Sequence, residues 1–305
     1  VRALERPAPL REGDLVALVA PSSGADADEV AAGVAALEAW GLRVAPAENL
    51  TSRQPGVLSF LAGDDAARAR SFEKAWTDPE VRAVVCSRGG DGANRMVELV
   101  DWAAVRAAGP KALVGFSDVT TLHAALAVRC GFVSLHGPMP VTRAFGASAE
   151  GLRRMLFAPE EVRELRGAPG VDTLVGGRAR GVLLGGCLSV FCAEFGTAAG
   201  PPDPRGALLC LEDVGENATH LDRYLGQLAR SGYLDALAGV LLGSWKDCGP
   251  WQGELRELFL DRLGGLGVPV VGEFGFGHGE VNQTIPFGVE AELDADAGTL
   301  ALQDF

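Results

Sequence analysis

The feature that most restricts how this chain can fold is an alternation running through its first half. Short β-like runs are each stopped by a glycine- or serine-rich loop and followed by a helix-like stretch. The runs fall at residues 15–20, 42–44, 81–86 and 112–115, and the helical patterns at 28–40, 65–76, 93–100 and 118–128. The longer runs are almost wholly apolar, the pattern of strands buried on both faces. Strand, loop and helix in that order predict a parallel sheet covered by helices, with functional loops at the strand C-terminal ends. Residues 142–177 have a weak apolar pattern and read as a crossing, with one helix at 149–157. A second α/β region then opens at 179–186, with β runs at 207–211, 238–242 and 268–271 and helical segments at 188–195, 219–231 and 254–263. The expected division is an N-terminal α/β domain over 1–145, a crossing over 146–178 and a C-terminal domain over 179–305.

Composition narrows the function. Apolar residues make up 48% of the 305, enough for packed cores, and no apolar run approaches the roughly 18 residues of a membrane span. A formal charge of −13 disfavours both nucleic acid and an anionic membrane surface as partners. The first residues lack a basic stretch followed by an apolar one, so the expectation is a soluble, cytoplasmic protein. Six cysteines are scattered without CxxC pairs, mostly in apolar surroundings, which reads as buried reduced thiols. There is no His-Glu-x-x-His, and the four histidines are dispersed, so neither a metal nor another cofactor is expected.

Three loops can carry chemistry. Ser117, in Gly115-Phe116-Ser117-Asp118-Val119, sits on a turn between a β run and a helix. A nucleophile there projects from the turn beside amides able to hold an oxyanion, although a serine N-cap has the same look. Arg88-Gly89-Gly90-Asp91-Gly92 is a glycine turn after a strand. It suits an amide donor to an oxyanion, a phosphate cradle or a plain turn. His278 lies between glycines in a loop after a strand; His136 is the rival loop histidine, while His123 and His220 fall in helical stretches. A catalytic histidine needs an acid on its other ring nitrogen, and Glu212 and Asp213, at the end of the buried run 207–211, are equally placed to supply it.

Taken together, these blocks resemble the LD-carboxypeptidases, the muramoyl-tetrapeptide carboxypeptidases whose family also includes the microcin C immunity hydrolases. The resemblance rests on Arg88-Gly89-Gly90-x-Gly92, Gly115-Phe116-Ser117-Asp118-Val119-Thr120, Leu135-His136-Gly137-Pro138-Met139, Leu184-Gly185-Gly186-Cys187-Leu188, Leu211-Glu212-Asp213-Val214-Gly215-Glu216 and Gly277-His278-Gly279. Asn282, Pro286 and Gly288 follow in the family's closing pattern, so the match covers nearly the whole chain. It implies a Rossmann-like N-terminal parallel sheet and a C-terminal α/β domain with a barrel-like sheet. It also implies a Ser117–His278–Glu212 triad, oxyanion donors at the Gly90 and Asp118 amides, a small muropeptide substrate and a homodimer. Arg88, Asp91 and Arg223 are the candidate substrate contacts, with an arginine meeting the substrate's free carboxylate. Asp91 and Cys187 depart from the family's usual aromatic residue and asparagine, which bears on substrate preference. The short crossing segment favours the peptidoglycan-recycling branch. The alternatives are a peptidyl-nucleotide hydrolase and a non-catalytic, two-lobed small-ligand-binding protein.

Overall fold

The computed structural model describes residues 3–142, 145–198 and 200–303; the outer limits of the expected domains, residues 1 and 305, lie outside these. The first-half alternation folds into parallel strands β1 (Leu15–Val19), β2 (Arg43–Pro46), β3 (Val81–Cys86), β4 (Ala112–Gly115) and β5 (Ser134–His136). Each of β1, β3 and β4 is almost wholly buried, so the sheet is covered on both faces. The remaining strands are β6 (Glu164–Arg166), β7 (Asp172–Val175), β8 (Arg178–Cys187), β9 (Ala207–Val214), β10 (Gly239–Lys246), β11 (Val270–Gly272), β12 (Ile285–Phe287), β13 (Glu290–Asp294) and β14 (Thr299–Leu302).

They sort into two sheets. A six-stranded sheet runs β12-β5-β4-β3-β1-β2, and an eight-stranded one runs β6-β14-β13-β8-β9-β10-β11-β7. The mixed α/β architecture with a parallel core agrees with the expected fold class. One detail is corrected: the eight-stranded sheet is not a closed barrel among the described residues, because β6 and β7 stand at its two edges. Both edge strands come from the segment read as a crossing, which also carries the helix Phe145–Phe157. No helix among the described residues is long and apolar enough to cross a membrane.

One connection fixes how the two sheets meet. After β11 the chain passes through the His278 loop and then enters the first sheet as β12, antiparallel to β5, with Ile285 opposite His136 and Phe287 opposite Ser134. It returns at once to the second sheet as β13, paired to β8. The His278 loop is thereby held between a strand of each sheet. A second tie lies at the end of β8, where the Cys187 amide donates to Thr120 Oγ1 at 3.0 Å. A β-carbon on Gly186 would meet that same oxygen at 2.4 Å, so the backbones approach this closely only with glycine there.

Candidate active site

Ser117 follows β4 at the C-terminal edge of the parallel sheet. Its φ is +65°, one of three positive values outside glycine among the described residues. The short 3₁₀ turn Ser117–Val119 leads into the helix Thr120–Ala125, and the capping position belongs to Phe116, with no side-chain cap bond. Ser117 is therefore not the helix-capping serine its local sequence suggests. A left-handed serine at a strand–helix turn is strained by about 1–3 kcal/mol, and such strain collects at functional sites.

The glycine turn after β3 packs against it. A β-carbon on Gly89 would lie 3.0 Å from Ser117 Cβ and 3.1 Å from its Oγ. Gly90 has φ +113°, and a β-carbon there would fall 2.1 Å from Ser23 Oγ, which lies in the loop after β1. Neither the Gly90 nor the Asp118 amide donates to another group among the described residues, which leaves both for a ligand. The turn is braced by Arg68, a fully buried guanidinium that the helix Asp65–Thr77 aims inward; its Nη1 donates to the Gly92 carbonyl at 2.7 Å. Asp118 is buried, accepts from the Ala93 amide at 2.8 Å, and is pushed up to about 6 by burial.

The second sheet supplies the rest. Glu212 is in β9, fully buried, and its Oε2 accepts from His278 Nδ1 at 2.6 Å and from the His278 amide at 3.2 Å. Gly277 permits this: its φ is +97°, and a β-carbon there would lie 2.3 Å from Glu212 Oε2. The loop is further pinned by Gly277 N to Asn282 Oδ1 at 2.8 Å and Gly279 N to Ser244 Oγ at 2.7 Å. Asp213, left level with Glu212 in the sequence, is spent elsewhere. Its carboxylate accepts from the Ser189 amide at 2.8 Å, at the start of the helix Leu188–Ala193.

Burial pulls His278 down, but the adjoining Glu212 carboxylate outweighs it, so the imidazole titrates above its ordinary value. Glu212 is itself driven up by burial and held low by the His278 charge and hydrogen bonding. With Nδ1 on the carboxylate, Nε2 is left for a reacting group. The two halves meet through Phe116, the residue before Ser117, whose ring packs edge-on to His278 at a centroid distance of 4.8 Å. A histidine base works only when neutral, so the acid limb of kcat/KM is expected above the ordinary value of about 6.5. A pH–rate profile with its acid limb below 6 would contradict this coupling.

The family comparison decides what this arrangement belongs to. The family model for the LD-carboxypeptidase N-terminal domain matches residues 16–137, and that for the LD-carboxypeptidase C-terminal domain matches residues 180–293. This chain belongs to the LD-carboxypeptidase family. It is a serine carboxypeptidase. A Streptomyces coelicolor protein whose name goes no further than carboxypeptidase is 54% identical over 305 residues, covering 99% of this chain and 97% of that one. The murein tetrapeptide carboxypeptidase of Pseudomonas aeruginosa is 31% identical over 298 residues, covering 92% of this chain and 93% of that one. Among solved structures, the muramoyltetrapeptide carboxypeptidase of Oxalobacter formigenes superposes with a TM-score of 0.81 at 25% identity, over 95% of this chain and 99% of that one.

The other sequence candidates fall in different places in this carboxypeptidase. Arg88 is half-buried in the glycine turn, Asp91 is exposed with its amide 3.4 Å from Ser23 Oγ, and Arg223 is exposed on the helix Ala218–Arg230. His136 is not in a loop: it is the last residue of β5, fully buried. His123 is also buried, with Nε2 on the Gly115 carbonyl at 2.9 Å and Nδ1 on Ser134 Oγ at 2.8 Å. The carbonyl can only accept, so Nε2 carries the proton and His123 braces the strand end before Ser117. Cys187 is buried with its Sγ 3.3 Å from Asp213 Oδ1, and burial raises its thiol well above the ordinary value. Lys246, at the end of β10, was not singled out by the sequence; its charge opposes that of His278.

Proposed function

We propose that the chain removes the terminal D-alanine from peptidoglycan tetrapeptides, using Ser117 as nucleophile, His278 as base and Glu212 as the acid that orients it. The observation that carries this reading is the buried Glu212–His278 pair, at 2.6 Å, set through Phe116 beside a strained serine on the other sheet. Ser117 Oγ attacks the carbonyl before D-alanine while His278 Nε2 takes its proton. The oxyanion is held by the Gly90 and Asp118 amides, each donor being worth about 10²–10³ in rate. The tetrahedral adduct collapses with cleavage of the C–N bond, and His278 returns the proton to the leaving amine. Water, deprotonated by His278, then releases the acyl group and restores Ser117. Arg88, in the turn beside the oxyanion donors, is the cation proposed for the substrate's free carboxylate.

The likeness to the murein tetrapeptide carboxypeptidase of Pseudomonas aeruginosa supports the choice of peptide. A peptidyl-nucleotide substrate is the second reading. It draws on the microcin C7 self-immunity protein of Escherichia coli, 22% identical over 334 residues and covering 97% of this chain. The test is to incubate the protein with muropeptide tetrapeptide and follow free D-alanine, with a peptidyl-nucleotide in a parallel reaction. Release of D-alanine supports the first reading. Cleavage of the nucleotide conjugate alone would replace it with the second.

A further inference from the structure

Among the buried polar side chains near the candidate site that carry atoms without a hydrogen-bond partner, two face each other: Glu212 and His136. Glu212 Oε2 is occupied by His278, but Glu212 Oε1 has no hydrogen bond among the described residues. His136 is fully buried, and neither of its ring nitrogens has a hydrogen bond. His136 Nε2 lies 3.6 Å from Glu212 Oε1. That separation is a few tenths of an ångström beyond a hydrogen bond and too short to admit a bridging water. The other walls offer the ring little. Phe116, Phe276 and Phe287 surround it at centroid distances of 5.8, 5.7 and 5.4 Å. His123 is 6.3 Å away, with both nitrogens already committed to Gly115 and Ser134.

We propose that His136 is a positioning residue: its Nε2–H donates to Glu212 Oε1, locking the carboxylate so that Oε2 stays on His278. The inference rests on the Ser117–His278–Glu212 reading and adds a fourth member from β5. A buried carboxylate oxygen is costly to leave unpaired, and the His136 imidazole places an N–H donor position 3.6 Å from it. Hydrogen bonds at such sites are often long without substrate and tighten on binding. β12 fixes the backbone at this position, since Ile285 pairs with His136 in register at the edge of the first sheet.

The consequence for pH has a definite sign. The donor stabilises the ionised carboxylate most when His278 is neutral, because a protonated His278 already balances the charge. Removing it penalises the neutral-histidine state more, so the pair's proton becomes harder to lose and the acid limb of kcat/KM moves to higher pH. The other titratable groups around this pair are His123, 6.3 Å from the His136 ring, Asp213 next to Glu212 in β9, the Cys187 thiol, and Lys246, whose charge lowers His278.

The test compares His136→Phe, which keeps the ring shape without a donor, with His136→Gln, whose amide N–H reaches the Nε2 position. With His136→Phe, kcat should fall about 10–100-fold at nearly unchanged KM and the acid limb should move up in pH. His136→Gln should restore most of both. Equal damage in the two variants, or an unmoved limb in a folded His136→Phe, would overturn the proposal. ¹⁵N spectra of the unmodified full chain give an independent reading: Nε2 of His136 must carry the proton, and a bare Nε2 overturns the idea even if His136→Phe does not fold. Ser117→Ala in the same series separates the two levels. If it stays active, the serine mechanism fails and the ring-nitrogen reading alone judges His136.

Discussion

Ser117→Ala is expected to lower D-alanine release by about 10⁴–10⁶-fold while leaving the chain folded and KM nearly unchanged. The size follows from the role proposed for the hydroxyl, which is to bond to the substrate carbonyl. Of the six cysteines, all are buried, so none stands ready as a second nucleophile. Alanine keeps the strained backbone, because φ at +65° is as unfavourable for alanine as for serine. Ser117→Gly should therefore behave differently in one respect. It should be just as inactive but more stable than Ser117→Ala, by up to about 1 kcal/mol, or about 2 °C in Tm. Thermal denaturation of the pair measures that strain directly, and turnover of the tetrapeptide measures the chemistry. A Ser117→Ala protein retaining a tenth of the activity would remove Ser117 from the mechanism. Equal melting temperatures for the two variants would mean that the turn stores no strain.

The first sheet was legible because its strands are local and continuous. The runs at 81–86 and 112–115 coincide with β3 and β4, apolar but for the exposed Arg82 and stopped by glycine or serine. The second sheet was legible only at its centre. β9 and β10 open on apolar runs, whereas β13 alternates polar and apolar residues over five positions and β14 has four residues, both too short to stand out. β12 could not be read at all. It is three residues long with Pro286 at its centre, and its partner β5 lies about 150 positions earlier, so only tertiary packing makes it a strand. That one strand also governs the site, since it carries the His278 loop across to the first sheet. His136 is hard to place for the same reason: a three-residue strand ending at His136 and followed by Gly137-Pro138 looks like a loop until its neighbour is known. Glu212 and Asp213 separate only in three dimensions. Successive residues of a strand point to opposite faces, so one carboxylate meets the histidine and the other meets the helix start.

Glu212→Gln should cost about 10⁴-fold in kcat, close to the effect of neutralising the acid of other serine triads. The amide has nearly the shape of the carboxylate, so packing in this fully buried position is preserved and the loss reports charge and tautomer. Two effects combine. In the proposed mechanism, the imidazolium formed as Ser117 is deprotonated loses the anion now 2.6 Å from its Nδ1. A glutamine can also turn its NH₂ toward His278, favouring the tautomer with the proton on Nε2, which cannot accept from serine. The pH dependence distinguishes this from simple disruption. In the parent protein the carboxylate raises His278 against the burial that lowers it. With the carboxylate gone, the largest influence opposing burial is lost and Asp213 is the raising charge that stays, so the acid limb of the residual kcat/KM should move down in pH from that of the parent protein. His136→Phe is expected to move the same limb up. Opposite shifts from two substitutions around one carboxylate are hard to obtain from general loosening of the site. They follow if Glu212 is the anion that sets the basicity of His278 and His136 is the donor that steadies that anion.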